Sequence, residues 1–247
     1  MSDSHPGHDP FTIPADRATG CLPRVSKPGQ WCPFVRDSIR VIPRNEWPDL
    51  VGTVPNSDLI WELLDQDGVG SCAAEGCTNA VLGMRELAGA DRVQLNPWGL
   101  YNTTSGGSDR GSSIDENLSL ARSQGIPSMA VWPRSKGWRT RLSAEALEDA
   151  KQYRIDEFYD VTNHDEFASA LFAGFLVEFG YRIGGGGHAV CATEMVSTSR
   201  FRFINSWGQW GQNGFGELNL SDIYWGFGAW ALRTTTIKEP SWPIKQK

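Results

Sequence analysis

Long apolar runs are scarce in this sequence, and basic residues are fewer than acidic ones. No apolar stretch approaches the roughly 18 residues that a membrane-spanning helix needs. The N-terminal segment MSDSHPGHDPF is polar where a secretory signal peptide would be apolar. The formal net charge of −6 argues against a nucleic-acid partner or an anionic membrane surface. We therefore expect a cytoplasmic protein that binds neither nucleic acid nor a membrane.

Cysteine is scarce as well. The chain has 247 residues and five cysteines, which are Cys21, Cys32, Cys72, Cys77 and Cys191. An odd and sparse set does not form the disulfide framework of a small secreted protein, so free thiols in a reducing compartment are expected. The hydrophobic fraction of 40% and the charged fraction of 21% are those of a packed globular protein.

The chain divides into an arm, a globular domain and a tail. Residues 1–38 are predicted to form an extended arm, because prolines interrupt any periodic pattern there. These prolines are Pro6, Pro10, Pro14, Pro23, Pro28 and Pro33. Residues 39–235 are predicted to form the globular domain, and residues 236–247 are a polar tail broken by proline.

Within the globular domain, helical patterns come first and strand patterns follow. Apolar residues recur at helical spacing in four segments, which are residues 72–87, 114–123, 144–153 and about 165–172. The later segments GFLVEFGYRI, HAVCATEMVS and RFRFINSW are typical of strands separated by turns rich in glycine and serine. This order predicts an α+β fold with one mostly helical lobe and one lobe that is mostly sheet.

The stretch DQDGVGSCAAEGC places a thiol where a glycine-serine turn meets a helix. Free cysteine has a pKa of about 8.5, and a helix N-terminus favours the thiolate that nucleophilic attack needs. Cys72 stands at that helix start behind a predicted cap, Ser71, whereas Cys77 lies more than one turn inside the helix. Cys72 is therefore the candidate nucleophile. The alternative is that Cys72 is a small buried core residue.

A base for that thiol is sought among only four histidines. His5 and His8 lie in the arm, and His164 stands at a polar helix start. His188 opens an apolar strand after GGGG, where a ring can project from a sheet edge into a cleft. On the next strand Asn205 could accept a hydrogen bond from one imidazole nitrogen and fix the tautomer and orientation of the ring.

Three motifs together resemble the papain-like cysteine peptidases of peptidase family C1. They are DQDGVGSCAAEG, GGHAV and FINSWGQWGQNGFGEL, and they occur in the family's order of Gln, Cys, His and Asn. The resemblance covers about residues 41–232. It implies a two-lobed fold, with a helical left lobe, an antiparallel sheet or barrel as the right lobe, and an active-site cleft between them. It also implies an endopeptidase that acts on polypeptides and needs neither a metal nor another cofactor.

The resemblance assigns roles to four catalytic residues. Cys72 would be the nucleophile, and His188 the general base and then the general acid. Asn205 would orient His188. Gln66 would donate its side-chain amide to the oxyanion beside the backbone N–H of Cys72.

Two further residues follow from the resemblance, and two depart from it. Trp207 would shield the hydrogen bond between His188 and Asn205 from water, and Gly111 would meet the substrate backbone. Ala73 and Glu75 stand where the family usually has aromatic residues.

Other functions and an assembly role stay open at this point. The arm and tail favour a structural or assembly protein on the same fold, for example one carried in a virus particle. Hydrolysis of cell-wall peptide crosslinks is a further alternative, although no wall-binding repeat is present. We expect residues 1–38 to dock on a second copy or a larger assembly and to leave the cleft open. A zinc site made by the arm's two histidines, Cys21 and Cys32 matches no compact zinc-binding spacing.

Overall fold

Most of the helices precede the longer strands along the chain. The computed structural model describes residues 9–233. Its helices are α1 (Trp47–Leu50), α2 (Cys72–Leu87), α3 (Trp98–Thr104), α4 (Ile114–Ser123), α5 (Ala144–Ala150), α6 (His164–Phe172) and α7 (Trp210–Asn213). Its strands are β1 (Cys21–Leu22), β2 (Ser112–Ser113), β3 (Glu157–Asp160), β4 (Leu176–Ile183), β5 (Gly186–Met195), β6 (Arg200–Ile204), β7 (Phe215–Asn219) and β8 (Ala229–Arg233).

These bounds confirm the four predicted helices and the helix-then-strand order. Helices α2 and α4 match the predicted residues, and α5 ends three residues early, at Ala150. Ser71 stands at the N-cap position of α2 as predicted, but its side chain makes no capping hydrogen bond. The Ser71 hydroxyl instead donates to the carboxylate of Glu75, at 3.2 Å, one turn into the helix.

Six strands form one antiparallel sheet in the order β3-β8-β4-β5-β6-β7. Helix α2 packs on one face of this sheet and α6 on the other, so the buried side chains form two clusters. Alternation along β4 divides its residues between them, with Leu176 facing α2, and Val177 and Phe179 facing α6. Within residues 9–233 the sheet stays open, so the barrel form of the expected right lobe was wrong.

Close packing against the sheet explains two glycines inside α2. A methyl group at Gly83 would overlap the side chain of Leu176, and one at Gly76 would lie 2.9 Å from a carboxyl oxygen of Glu178. Each interior glycine weakens an isolated helix by about 1 kcal/mol relative to alanine. Here the missing side chains let α2 lie directly on β4.

The described part of the arm lies on its own chain. β1 pairs in parallel with β2, so that Cys21 lies opposite Ser112. Further along the arm, both terminal nitrogens of the Arg24 guanidinium donate to Asp160, at 3.1 and 2.7 Å. The backbone amide of Gly29 donates to the same buried carboxylate at 2.8 Å. The carboxylate of Asp115 accepts from two more arm amides, those of residues 25 and 26. These contacts anchor the arm at several points.

Within residues 9–233, no helix combines the length and the apolar character that crossing a bilayer requires. The predicted tail, residues 236–247, lies outside the described residues.

Replacing Asp160 with asparagine is expected to loosen the arm. The change removes the charge that holds Arg24 and leaves a guanidinium with little solvent access, since the Arg24 side chain is 13% exposed. Breaking a buried ion pair is strongly destabilising, so we expect tryptic cleavage after Arg17, within the arm, to become at least about tenfold faster. Cleavage is followed by intact mass during brief digestion of the full chain.

Asp165→Asn is the matched control for that experiment. It breaks the exposed pair between Arg44 and Asp165, whose side chains are 64% and 43% exposed. Exposed pairs contribute little, so this variant should be cut within about twofold of the parent rate. Equal cleavage rates for Asp160→Asn and Asp165→Asn would contradict the anchoring role of Asp160.

Candidate active site

Helix α2 and strand β5 bring the candidate nucleophile and base to the same place. Cys72 is the first residue of α2 and is fully buried. Backbone amides of Gly20, Ala73 and Ala189 lie against its thiol, and Ala189 directly follows His188 in β5. The thiol therefore lies beside the strand that carries the histidine.

The tautomer of His188 follows from its hydrogen bond to Asn205. His188 Nε2 lies 2.8 Å from Asn205 Oδ1, which also accepts from the backbone amide of Ser206 at 2.8 Å. An amide oxygen can only accept, so Nε2 carries the proton. The other ring nitrogen, Nδ1, has no hydrogen-bond partner among the described residues. In the neutral ring Nδ1 is the basic atom, and it is available to take a proton.

Trp207 covers this pair as expected of a shielding residue. Its ring stacks on the His188 imidazole with 4.5 Å between centroids and 23° between planes. Trp207 is only 2% exposed, and both His188 and Asn205 are fully buried. Water is thereby kept from one face of the imidazole.

Burial favours the neutral forms of both reacting side chains in this structure. It raises the pKa of the Cys72 thiol to about 12, although the three backbone amides act in the opposite direction. It lowers the pKa of His188 to about 4, with the Asn205 hydrogen bond opposing the change. The thiolate expected from the sequence is therefore not favoured here, because the helix N-terminus cannot compensate for the loss of water around Cys72.

Gln66 lies next to both halves of the candidate site. Its backbone amide donates to the carbonyl of Ser206 at 3.0 Å, and its side-chain oxygen accepts from the Ser206 hydroxyl at 2.8 Å. Its side-chain nitrogen donates to the carbonyl of Val69, at 2.6 Å, and to the arm carbonyl of Ala18, at 3.0 Å. Both donors of the side-chain amide are thus engaged, one of them by the arm.

Gly111 meets an extended backbone, and that backbone belongs to the arm. Its φ of +88° disfavours any other residue. A methyl group at Gly111 would also overlap the carbonyl oxygen of Gly20, and one at Gly20 would overlap the carbonyl oxygen of Gly70. The Gly20 carbonyl accepts from the backbone amide of Ser112 at 2.9 Å.

The expectation that the arm leaves the cleft open was therefore wrong. Residues 17–22 lie over the candidate site, with Ala18 on Gln66 and Gly20 on the Cys72 thiol. No local pattern indicates this, because the fit depends on Gly20, Gly70 and Gly111 together, which come from distant parts of the chain.

Solved structures with the same architecture come from several organisms. Xylellain, a cysteine protease from Xylella fastidiosa, matches with a TM-score of 0.69 and 18% identity, over 91% of this chain and 100% of that one. The structure of procathepsin B S9 from Trypanosoma congolense matches with a TM-score of 0.61 and 17% identity, over 89% and 88%. A recombinant stem bromelain precursor matches with a TM-score of 0.62 and 16% identity, over 89% and 78%.

The chain has a papain-like fold. This confirms the fold that the three sequence motifs predicted. At identities of 16–18% the likeness is one of architecture, so the chemistry must be argued from the residues themselves. No protein-family model matches the sequence, and no curated protein matches it.

Two polar networks beside the papain-like cleft were missed in the sequence. In the first, one carboxyl oxygen of Asp109 accepts from the Tyr101 hydroxyl at 2.6 Å and from the backbone amide of Gly70 at 2.9 Å. The Tyr101 hydroxyl also accepts from the amide of Gly111 at 3.1 Å. This network holds the two glycine turns that contact the arm.

The second missed network is a buried ion pair. Arg134 donates to both carboxylate oxygens of Glu75, at 3.0 and 2.9 Å. The sequence marked Glu75 as a departure from the family pattern, but no local signal connects it with a residue 59 positions away.

A metal site has little to draw on here. Among residues 9–233 there is no group of three or more His, Cys, Asp and Glu side chains that could hold a metal ion. The zinc hypothesis involved His5 and His8, which lie outside the described residues.

His188 is expected to remain a neutral Nε2–H imidazole down to a pH of about 4, because burial lowers its pKa. Long-range nitrogen–proton NMR spectra of the full chain distinguish this tautomer from the other and from imidazolium. Asn205→Ala removes the acceptor and should mix the tautomers. An Nδ1–H ring in the parent, or imidazolium already at pH 6, would contradict the assignment.

Proposed function

We propose that this chain is a cysteine peptidase in a latent form, with its own N-terminal arm occupying the cleft. The observation that carries the proposal is that arm residues 18 and 20 lie against Gln66 and Cys72. The oxyanion candidate, the side-chain amide of Gln66, already donates to the carbonyl of Ala18. Two residues further along the arm, the backbone amide of Gly20 lies against the Cys72 thiol. The arm thus contacts both the candidate oxyanion donor and the candidate nucleophile.

The burial of Cys72 explains why the bound arm is not cleaved. Attack on a carbonyl requires the thiolate, and a thiol with a pKa of about 12 is almost wholly protonated at neutral pH. The arm therefore keeps the nucleophile inactive by excluding water from it. Once the arm leaves, water returns, and the helix N-terminus and His188 favour the thiolate.

Peptide hydrolysis then follows from the positions of four side chains. His188 Nδ1 takes the thiol proton, and the sulfur attacks the carbonyl of a polypeptide substrate. The developing oxyanion accepts from the side-chain amide of Gln66 and the backbone N–H of Cys72. His188 passes its proton to the leaving amine, and it then activates the water that releases the acyl group. Asn205 keeps the His188 ring in the tautomer that these reaction steps require.

The alternative functions have no observation in their favour. A structural or virion-associated protein, or a hydrolase of cell-wall peptides, does not by itself account for the neutral His188–Asn205 pair beside a buried thiol. Assembly through residues 1–38 stays a prediction, although residues 9–38 already make extensive contacts on their own chain. A cytoplasmic location also stays a proposal, and it agrees with five cysteines that form no disulfide.

Gly20→Ala tests the latent form in the full chain. The added methyl would overlap the Gly70 carbonyl, so the arm must leave its place. Overpacking of this kind costs about 1–3 kcal/mol, so we expect alkylation of Cys72 by iodoacetamide to become about 10- to 100-fold faster, and hydrolysis of a mixed peptide library to rise with it. Intact mass and peptide mapping identify the labelled cysteine, and Cys72→Ser on the same background should abolish hydrolysis.

Val25→Ala is the matched arm variant. The Val25 side chain is 60% exposed, so its truncation should leave both rates at the parent value. If Cys72 in the Gly20→Ala chain is labelled no faster than the other cysteines and no peptide is cut, the peptidase proposal fails and the structural alternative gains support.

Gln66→Ala on the Gly20→Ala background tests the oxyanion assignment. Loss of one such donor typically lowers turnover by about 10²–10³, while substrate binding changes little, because the donor acts mainly in the transition state. The exposed residue Gln152 provides the control, Gln152→Ala. Equal kcat for Gln66→Ala and Gln152→Ala would show that the oxyanion is stabilised elsewhere.

A further inference from the structure

Arg134 connects three elements beside the candidate site. It begins a short 3-10 helix, Arg134–Lys136, and its side chain is 19% exposed. One terminal nitrogen donates to both carboxylate oxygens of Glu75 in α2, and the other donates to the backbone carbonyl of Asp65 at 2.6 Å. The guanidinium also lies over the ring of Trp98 in α3, 4.7 Å from its centroid.

The bond to Asp65 matters because of the peptide unit to which that carbonyl belongs. The carbonyl of Asp65 and the amide of Gln66 are the two ends of one planar peptide. Arg134 holds the carbonyl end, and the backbone carbonyl of Ser206 accepts from the amide end at 3.0 Å. With both ends fixed, the plane from which the Gln66 side chain departs cannot rotate freely.

The bond to Glu75 ties the same peptide to the nucleophile's helix. Glu75 is fully buried and lies three positions after Cys72, in the first turn of α2. Its carboxylate also accepts from the Ser71 hydroxyl at 3.2 Å, and that hydroxyl accepts from the indole N–H of Trp98 at 3.3 Å. A continuous polar chain therefore runs from the start of α2 through Arg134 to the peptide of Gln66.

We propose that Arg134 is a positioning residue that sets the Gln66 amide relative to Cys72 through the Asp65–Gln66 peptide. The inference rests on the proposed function and adds a residue to it. A guanidinium suits the task because its planar fork presents donors in two fixed directions, one toward Glu75 and one toward Asp65. Lysine would keep the positive charge beside Glu75 and lose that fixed geometry.

A double-mutant cycle on the Gly20→Ala background separates this role from general support of the fold. Arg134→Lys should lower kcat by about 10-fold, since small misplacements of catalytic groups cost up to about 10²-fold, and KM should stay near the parent value. On a Gln66→Ala chain the same Arg134→Lys change should alter kcat by less than about twofold, because the group that it positions is already gone.

Arg92→Lys is the matched control. Like Arg134, Arg92 pairs with both oxygens of one carboxylate and lies over a tryptophan ring. Its Nε and Nη2 donate to Glu86 at 2.9 and 2.7 Å. It makes no such bond to the Gln66 loop, so this variant should keep the parent kcat. A peptide aldehyde supplies a second readout, because its bound oxygen needs the Gln66 amide whereas iodoacetamide does not. Arg134→Lys should weaken aldehyde inhibition about 10-fold and leave alkylation of Cys72 unchanged.

Each outcome decides between the two proposals. If Arg134→Lys lowers kcat equally with and without Gln66, or leaves it unchanged, the positioning role is overturned while the peptidase proposal stands. If Gln66→Ala and Cys72→Ser both retain the parent rate, the peptidase proposal fails and the positioning role fails with it. Should Arg134→Lys not fold, the Glu75→Gln/Arg134→Met pair removes both charges together and is put through the same cycle with the same criteria.

Discussion

The candidate site depends on how closely helix α2 lies on the sheet. Gly76 and Gly83 remove the side chains that would hold α2 away from Glu178 and Leu176. Protein interiors are packed about as densely as organic crystals, so one added methyl group on this face would displace the helix. Because α2 begins at Cys72, its distance from the sheet also sets the distance of the thiol from β5. The packing of the core and the placement of the candidate nucleophile are therefore one constraint.

Burial between α2 and the sheet disfavours the charged form of every ionisable group there. The three buried thiols differ in what opposes this effect. The pKa values of Cys77 and Cys191 are raised by burial and further by Glu178, with no compensating hydrogen bond. Glu178 itself is fully buried, and burial raises its pKa. Cys72 differs in having three backbone amides directed at its sulfur. Cys72 is thus distinguished from the other two buried thiols by its place at the helix start.

Local patterns were enough to predict the helices and the order of helices before strands, because each depends on nearby residues. The grouping of Cys72, His188 and Asn205 was predicted from three motifs that resemble a known family. Features that depend on distant contacts were missed. The fit of Gly20 against Gly70 and Gly111 involves three separate segments, and no periodicity reports it. The N-cap position of Ser71 was predicted, but its missing capping bond was not, because a buried Glu75 that a distant arginine holds takes the hydroxyl.

Binding of the arm in the cleft is thermodynamically linked to the ionisation of His188 and Cys72. A pKa of about 4 for His188, against the ordinary value of about 6.5, corresponds to about 3 kcal/mol against its charged form, and the arm contributes part of this by excluding water. The form with the arm bound is consequently favoured above pH 6.5. It loses that advantage as pH falls toward 4, since His188 binds a proton more tightly when the arm is absent. The same reasoning holds for the thiol with opposite sign: a Cys72 thiolate is favoured only in the open site, so its formation and the seating of the arm exclude each other. The proposed latent form therefore needs no distortion of the candidate catalytic residues, because excluding water from them is sufficient.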